Sequence, residues 1–310
     1  MRDNLTKMIK RLTIVLLIVN CTFFTIKAQT PSIQLLNRYQ DSLAILGHET
    51  INNSNEAERY NSTYKMVKIL VKALKVPGSF NYGFDSLKTV TIQKSPDNKF
   101  RIFTWHVMND DGSYRYYGTI QMNSTQGLKM FPLVDHSSTI KKPQDTVLTN
   151  DHWYGSQYYK IIPVVNSAKQ PYYVLLGWKG NTTKSTKKVI ETLYFKNNKA
   201  YFGLPVFDGN KDYSGKNRIV FEYARQASMI LNYNPQEGTI VFDHLSAPDP
   251  KLKDKPELYG PDLSYDGFKL FNGRWRYVAD LPLKNAPSEN DNLYNNPRKP
   301  IKPKTSKITP

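Results

Sequence analysis

Tyr172-Tyr-Val-Leu-Leu-Gly-Trp178 and Lys188-Val-Ile-Glu-Thr-Leu-Tyr-Phe195, parted by the turn signal Lys179-Gly180-Asn181, decide the fold. Both runs are rich in β-branched and aromatic side chains, which suit a pleated, half-buried surface. The signature recurs before them at Arg101–Val107, Tyr114–Met122 and Tyr158–Val165. It recurs after them at Arg218–Tyr223, Ser228–Tyr233 and Thr239–Leu245. From about residue 85 the hydrophobic period is therefore 2 rather than 3.6. Asp111-Gly112 and Asn272-Gly273 are dipeptides that two-residue hairpins favour because both positions must tolerate positive φ, and Asn197-Asn198 serves similarly. Hairpins that short join antiparallel neighbours, whereas parallel strands need crossovers of about a dozen residues. Residues 79–282 are thus expected to be mainly β, an antiparallel meander of about ten to thirteen strands. That is too many for one open sheet without curling or splitting. A sandwich, an open barrel or a propeller-like arrangement satisfies the pattern, though no repeat of about 40 residues supports the propeller.

Two short helices are predicted ahead of this body, in a preface spanning residues 29–78. In the first, Leu35, Leu36, Tyr39, Leu43 and Leu46 recur at helical steps and Gly47 ends the run. In the second, Asn55 caps with Glu58 three places on, as in a capping box. Tyr60, Thr63, Val67, Leu70 and Leu74 follow one face, and Pro77-Gly78 stops the helix.

The amino terminus reads as an export signal. Arg2, Lys7, Lys10 and Arg11 precede an apolar run from Leu12 to Ile26, which is shorter than the roughly 20 residues a membrane-crossing helix needs. A basic segment, a short apolar segment and the small residue Ala28 describe a cleavable signal peptide over residues 1–28. An uncleaved anchor and lipidation at Cys21 are the competing readings. Cys21 is the one cysteine of the chain, so cleavage leaves none. That closes thiolate metal sites, iron–sulfur clusters, thiol nucleophiles and disulfides as devices of the exported chain.

The formal net charge is +17, but much of it lies outside the body. Removing the signal, with its five basic residues and one acid, leaves about +13. Arg298, Lys299, Lys302, Lys304 and Lys307 crowd the last residues of a proline-rich stretch, 283–310, that is expected to be disordered. The excess favours anionic partners, an envelope surface or acidic polysaccharide, whereas nucleic acid is seldom met outside the cytoplasm. No cofactor motif survives a check of its spacing, and no transmembrane span is expected after residue 28. Asp208-Gly-Asn210-Lys-Asp212 opens like a calcium loop, but Tyr213 and Ile219 stand where the required glycine and bidentate glutamate belong.

Two long stretches without strand signature, Val134–Ser156 and Ser246–Asp266, are candidates for functional loops. The first carries His152, Trp153 and Tyr154, expected to form an exposed aromatic platform. Around the second lie Asp243, His244, Asp262, Tyr265 and Asp266. Paired carboxylates there suit acid–base work on a glycosidic bond, and a His beside an Asp suits a proton shuttle. Their competing role is to hold loop amides and pack.

Ile240-Val-Phe-Asp-His-Leu245, Tyr259-Gly-Pro-Asp-Leu-Ser-Tyr-Asp-Gly-Phe268 and Gly273-Arg-Trp275 together resemble an uncharacterised family of exported proteins from Bacteroidota. The segment Asp110-Asp-Gly-Ser-Tyr-Arg-Tyr116 and the signal ending in Ala28-Gln29 are similar to that group too, and the main likeness runs from about residue 85 to 280. The resemblance implies a periplasmic or cell-envelope address and carries no activity, cofactor or catalytic residue. The resulting expectation is a non-catalytic binding or envelope-associated module; the alternative is a glycan-acting hydrolase using the loop carboxylates.

Overall fold

The computed structural model describes residues 31–165 and 170–282, so the expected signal peptide, Cys21 and the basic tail lie outside the described residues. The chain is mainly β, with 41% strand and 21% helix, antiparallel sheets and no closed barrel. No described helix is long and apolar enough to cross a membrane.

Helices α1 (Pro31–Asn52) and α2 (Glu56–Leu74) form an antiparallel pair. Asn55 caps α2 as expected, its side chain accepting from the Glu58 amide at 3.2 Å. Gly47 does not end α1. It lies inside the helix, where a Cβ would sit 2.5 Å from the Thr89 hydroxyl, so the missing side chain serves close approach rather than termination.

The first sheet is a meander of β1 (Thr91–Lys94), β2 (Phe100–Met108), β3 (Tyr114–Met122) and β4 (Met130–Val134). The central sheet runs β5 (Leu148–Thr149), β9 (Lys199–Phe202), β8 (Ser185–Lys196), β7 (Tyr172–Gly180) and β6 (Gln157–Val164), with β11 (Ile219–Ala224) also paired to β8. The third runs β10 (Phe207–Asp208), β15 (Arg274–Val278), β14 (Gly260–Phe271), β13 (Thr239–Ser246) and β12 (Leu231–Asn234). All strand pairs are antiparallel except β10 with β15.

The layers follow from alternation along the strands. On β2, Phe103 and Trp105 pack with Leu43, Met66 and Leu70 of the helices, while Phe100 and Ile102 face the central sheet. On β7, Tyr173 and Leu175 point to the first sheet, and Tyr172, Val174 and Leu176 point to the third. A strand covered on both faces needs apolar residues at every position, which explains the unbroken run at 172–176. The order is therefore helices, first sheet, central sheet, third sheet.

Asn197-Asn198 and Asn272-Gly273 are two-residue hairpin turns, with φ of 48° and 57°, and of 48° and 75°. Asp111-Gly112 instead belongs to a longer connection, closed by Asn109 and Ser113. Neither stretch read as a long loop is wholly irregular. The first contains β5, and the second gives up Gly260–Asp266 to β14.

Candidate ligand-binding cleft

The carboxyl-terminal group assembles on a break in the third sheet. Asp243 stands opposite Tyr265 in the β13–β14 ladder, but Leu245 stands opposite Pro261. His244 alone therefore faces Asp262, Leu263 and Ser264. Leu263 takes up the slack with φ of 73° and is 92% exposed. Bulges of this kind re-aim a side chain, and here the re-aimed side chain is His244.

Its Nδ1 lies 2.7 Å from the Asp266 carboxylate, and its Nε2 lies 3.9 Å from Asp262. Asp266 is itself buried and accepts from the Tyr277 hydroxyl at 2.7 Å and the Asp280 amide at 3.2 Å. The hydrogen bond to Asp266, reinforced by the charges of Asp266, Asp262 and Asp280, holds the His244 pKa above the usual imidazole range. Asp262 is held by the Ser264 amide and hydroxyl, which lower its pKa. Asp243 accepts from the Ile230 amide at 2.6 Å, tying β12 to β13.

A raised histidine pKa has a defined sign. The stability contributed by the charged ring is fully present below its unfolded-state pKa and disappears as pH rises through the higher folded value. In an NMR titration, the His244 ring is expected to titrate above free histidine, and Asp266→Asn to bring it back down. An unchanged midpoint in that variant would remove Asp266 as the cause.

Asp243, His244 and Asp266 line one cavity of about 430 Å³ between the central and third sheets. Glu222 and Lys187, 3.2 Å apart, enter its wall from β11 and β8. Tyr213 and Tyr259 supply ring surface. The arrangement offers an oriented imidazole, several acceptors, one ammonium and aromatic faces.

Of the other expected positions, Tyr154 stands in the cleft wall and the rest fall elsewhere. Trp153 and Tyr154 are 0% and 4% exposed, so the exposed platform is overturned. The indole bonds the Tyr158 hydroxyl at 2.8 Å, and the segment is drawn inward by a parallel bridge between Trp153 and Asp135. His152 remains exposed, stacked on His136 at 3.9 Å between ring centroids. Tyr265 is half-buried and does not line the cleft. Asp208 is bonded by both oxygens to Arg274, at 2.5 and 2.8 Å, so its carboxylate belongs to an ion pair. Among the described residues no three His, Cys, Asp or Glu side chains converge as a metal ion requires.

Sequence reading missed Glu222, Lys187 and Tyr213. The available signal was a charged residue inside an otherwise buried strand pattern, as at Glu222 in Ile219-Val-Phe-Glu-Tyr-Ala224. Compared with protein-family models, curated proteins and solved structures, the chain finds no match.

Proposed function

We propose that this chain is an exported, envelope-associated binding module that holds a saccharide unit in the cleft at the His244 bulge. The observation carrying the reading is that one cavity of about 430 Å³ gathers Asp243, His244, Asp266, Glu222 and Lys187 beside three tyrosines. Small-molecule sites combine such volumes with a few fixed polar groups and apolar walls. A sugar ring presents hydroxyls for the acceptors and an apolar face for the rings. Export rests on the basic and apolar pattern of residues 1–28.

Calorimetric titration of the exported chain with envelope-derived oligosaccharides tests this. Binding is expected, and His244→Ala and Asp266→Asn should each weaken it about tenfold, the loss expected for one hydrogen bond to a charged group. Undiminished affinity in both variants would dismiss the cleft as the site.

The His244–Asp266 pair favours a second reading, a glycan-acting hydrolase. A base oriented by a third group is the arrangement that proton transfer requires. Release of reducing ends, abolished by His244→Ala, would establish turnover. Binding without release leaves the module.

A further inference from the structure

A second cavity, of about 480 Å³, adjoins the cleft, and Pro143, Tyr154 and Lys187 stand in the walls of both. Its charge is of the opposite kind. Arg115, Lys141, Lys179 and Lys187 line it against a single carboxylate, Asp135. That carboxylate is already engaged, accepting from the Tyr116 amide at 2.9 Å, the Ser137 amide at 2.9 Å and the Ser137 hydroxyl. Arg115 and Lys141 are exposed at the rim and take part in no ion pair among the described residues.

Lys179 is the unusual member. It is 4% exposed, and no carboxylate touches it. Its ammonium donates to the Ser137 hydroxyl at 2.8 Å and to the carbonyls of Tyr154 and Gly155 at 2.8 and 2.9 Å. The rings of Tyr116 and Tyr154 flank it, with centroids at 4.3 and 4.5 Å. Asp135 balances the ammonium only at second hand, through Ser137. Burying a cation without a direct counter-ion is costly, and an incoming anion would offset that cost.

Building on the saccharide reading of the cleft, we infer that this second cavity receives an anionic substituent, so that the ligand is an acidic saccharide. Arg115 and Lys141 contact its carboxylate, sulfate or phosphate, and the buried Lys179 ammonium adds its charge from behind them. An amino-acid pattern that sets an acidic cavity beside a basic one selects a ligand with a neutral, hydroxyl-rich part and a charged part.

A pH dependence accompanies the geometry. Burial pushes the Lys179 pKa down to about 7, Asp135 and Glu191 pull it up, and Lys187 opposes them. Tyr116 and Tyr154, whose rings flank it, keep neutral hydroxyls at these pH values because burial raises both. An anion in the cavity raises the Lys179 pKa, so binding takes up a proton and weakens as pH rises through 7.

The test is calorimetry on the exported chain with four probes: an oligogalacturonate, a neutral galactose oligomer of equal length, inorganic phosphate alone and inorganic sulfate alone. The acidic oligomer is expected to bind at least about tenfold more tightly than the neutral one, as each charge-assisted hydrogen bond would allow. Arg115→Gln/Lys141→Gln, at exposed positions that leave the fold intact, should bring it down to the neutral oligomer's affinity. Equal affinity for both oligomers overturns the inference and leaves the cleft reading standing. A preference that persists in the double variant also overturns it. Phosphate or sulfate binding that the double variant abolishes, with neither oligomer bound, supports the anion cavity and overturns the saccharide reading. No binding of any probe overturns both.

Discussion

Replacing Arg218 by Met should cost about 3–5 kcal/mol of stability, the loss typical when one partner of a buried ion pair is removed. Arg218 and Glu191 are both fully buried, and the guanidinium Nε lies 2.8 and 3.0 Å from the two carboxylate oxygens. Its remaining nitrogens donate to the carbonyls of Pro143, Thr146 and Phe202. Burial pushes the Glu191 carboxyl up, and the adjacent guanidinium is the main force resisting that shift. Without it, the carboxylate is stranded and three carbonyls lose their donor. Because whole domains are stable by about 5–15 kcal/mol, this is a large share of the total. Denaturant unfolding is expected to show a lower midpoint with an unchanged slope. Arg218→Met/Glu191→Leu should recover much of the loss, since no isolated charge remains. A single variant within about 1 kcal/mol of the parent would show that the site relaxes or hydrates instead.

Trp153→Ala should be destabilising by about 3–5 kcal/mol, the range for truncating a buried tryptophan. The indole is fully buried, contacts Tyr116 edge-on at 6.4 Å between centroids, and donates to Tyr158. The variant loses packing area and also leaves the Tyr158 hydroxyl without that donor. Trp153→Phe should restore most of the packing but not the hydrogen bond, leaving a smaller deficit of about 1–3 kcal/mol for the unsatisfied group. Were Trp153→Ala to keep its thermal midpoint while losing ligand affinity, the side chain would have to be a surface contact after all.

The contrast between these residues and the cleft shows what the sequence made legible. Alternation and turn dipeptides marked eight of the strands and both helices, because these depend on neighbours in the chain. Tyr114–Met122 coincides with β3. Strands β5 and β10, two residues each, carry no periodicity to read. The first half of β14 was hidden because Tyr259-Gly-Pro-Asp has turn composition, yet it pairs with β13 across the bulge. The grouping of His244 with Asp262 and Asp266 was visible from proximity along the chain. Glu222, Lys187 and Lys179 were not, because they meet across the paired strands β11, β8 and β7, whose register no local pattern encodes. Trp153 and Tyr154 were misplaced for a related reason. A loop composition suggests exposure, but Asp135 and Ser137 bind the segment inward through long-range bonds.

The parallel pairing of β10 with β15 sets a timetable for synthesis. Phe207 lies beside Trp275, the Trp275 amide bonds the Val206 carbonyl at 2.8 Å, and the Tyr172 hydroxyl bonds the Gly273 carbonyl at 2.8 Å. Each of these earlier residues must wait for a partner made much later. At about 5–20 residues per second, the interval between residues 207 and 275 is about 3–14 s. Throughout it, the face of the central sheet that bears Tyr172, Val174 and Leu176 lacks its permanent cover. Until the last hairpin docks, that apolar face stays open to water, so closing the third sheet over it belongs to the end of folding.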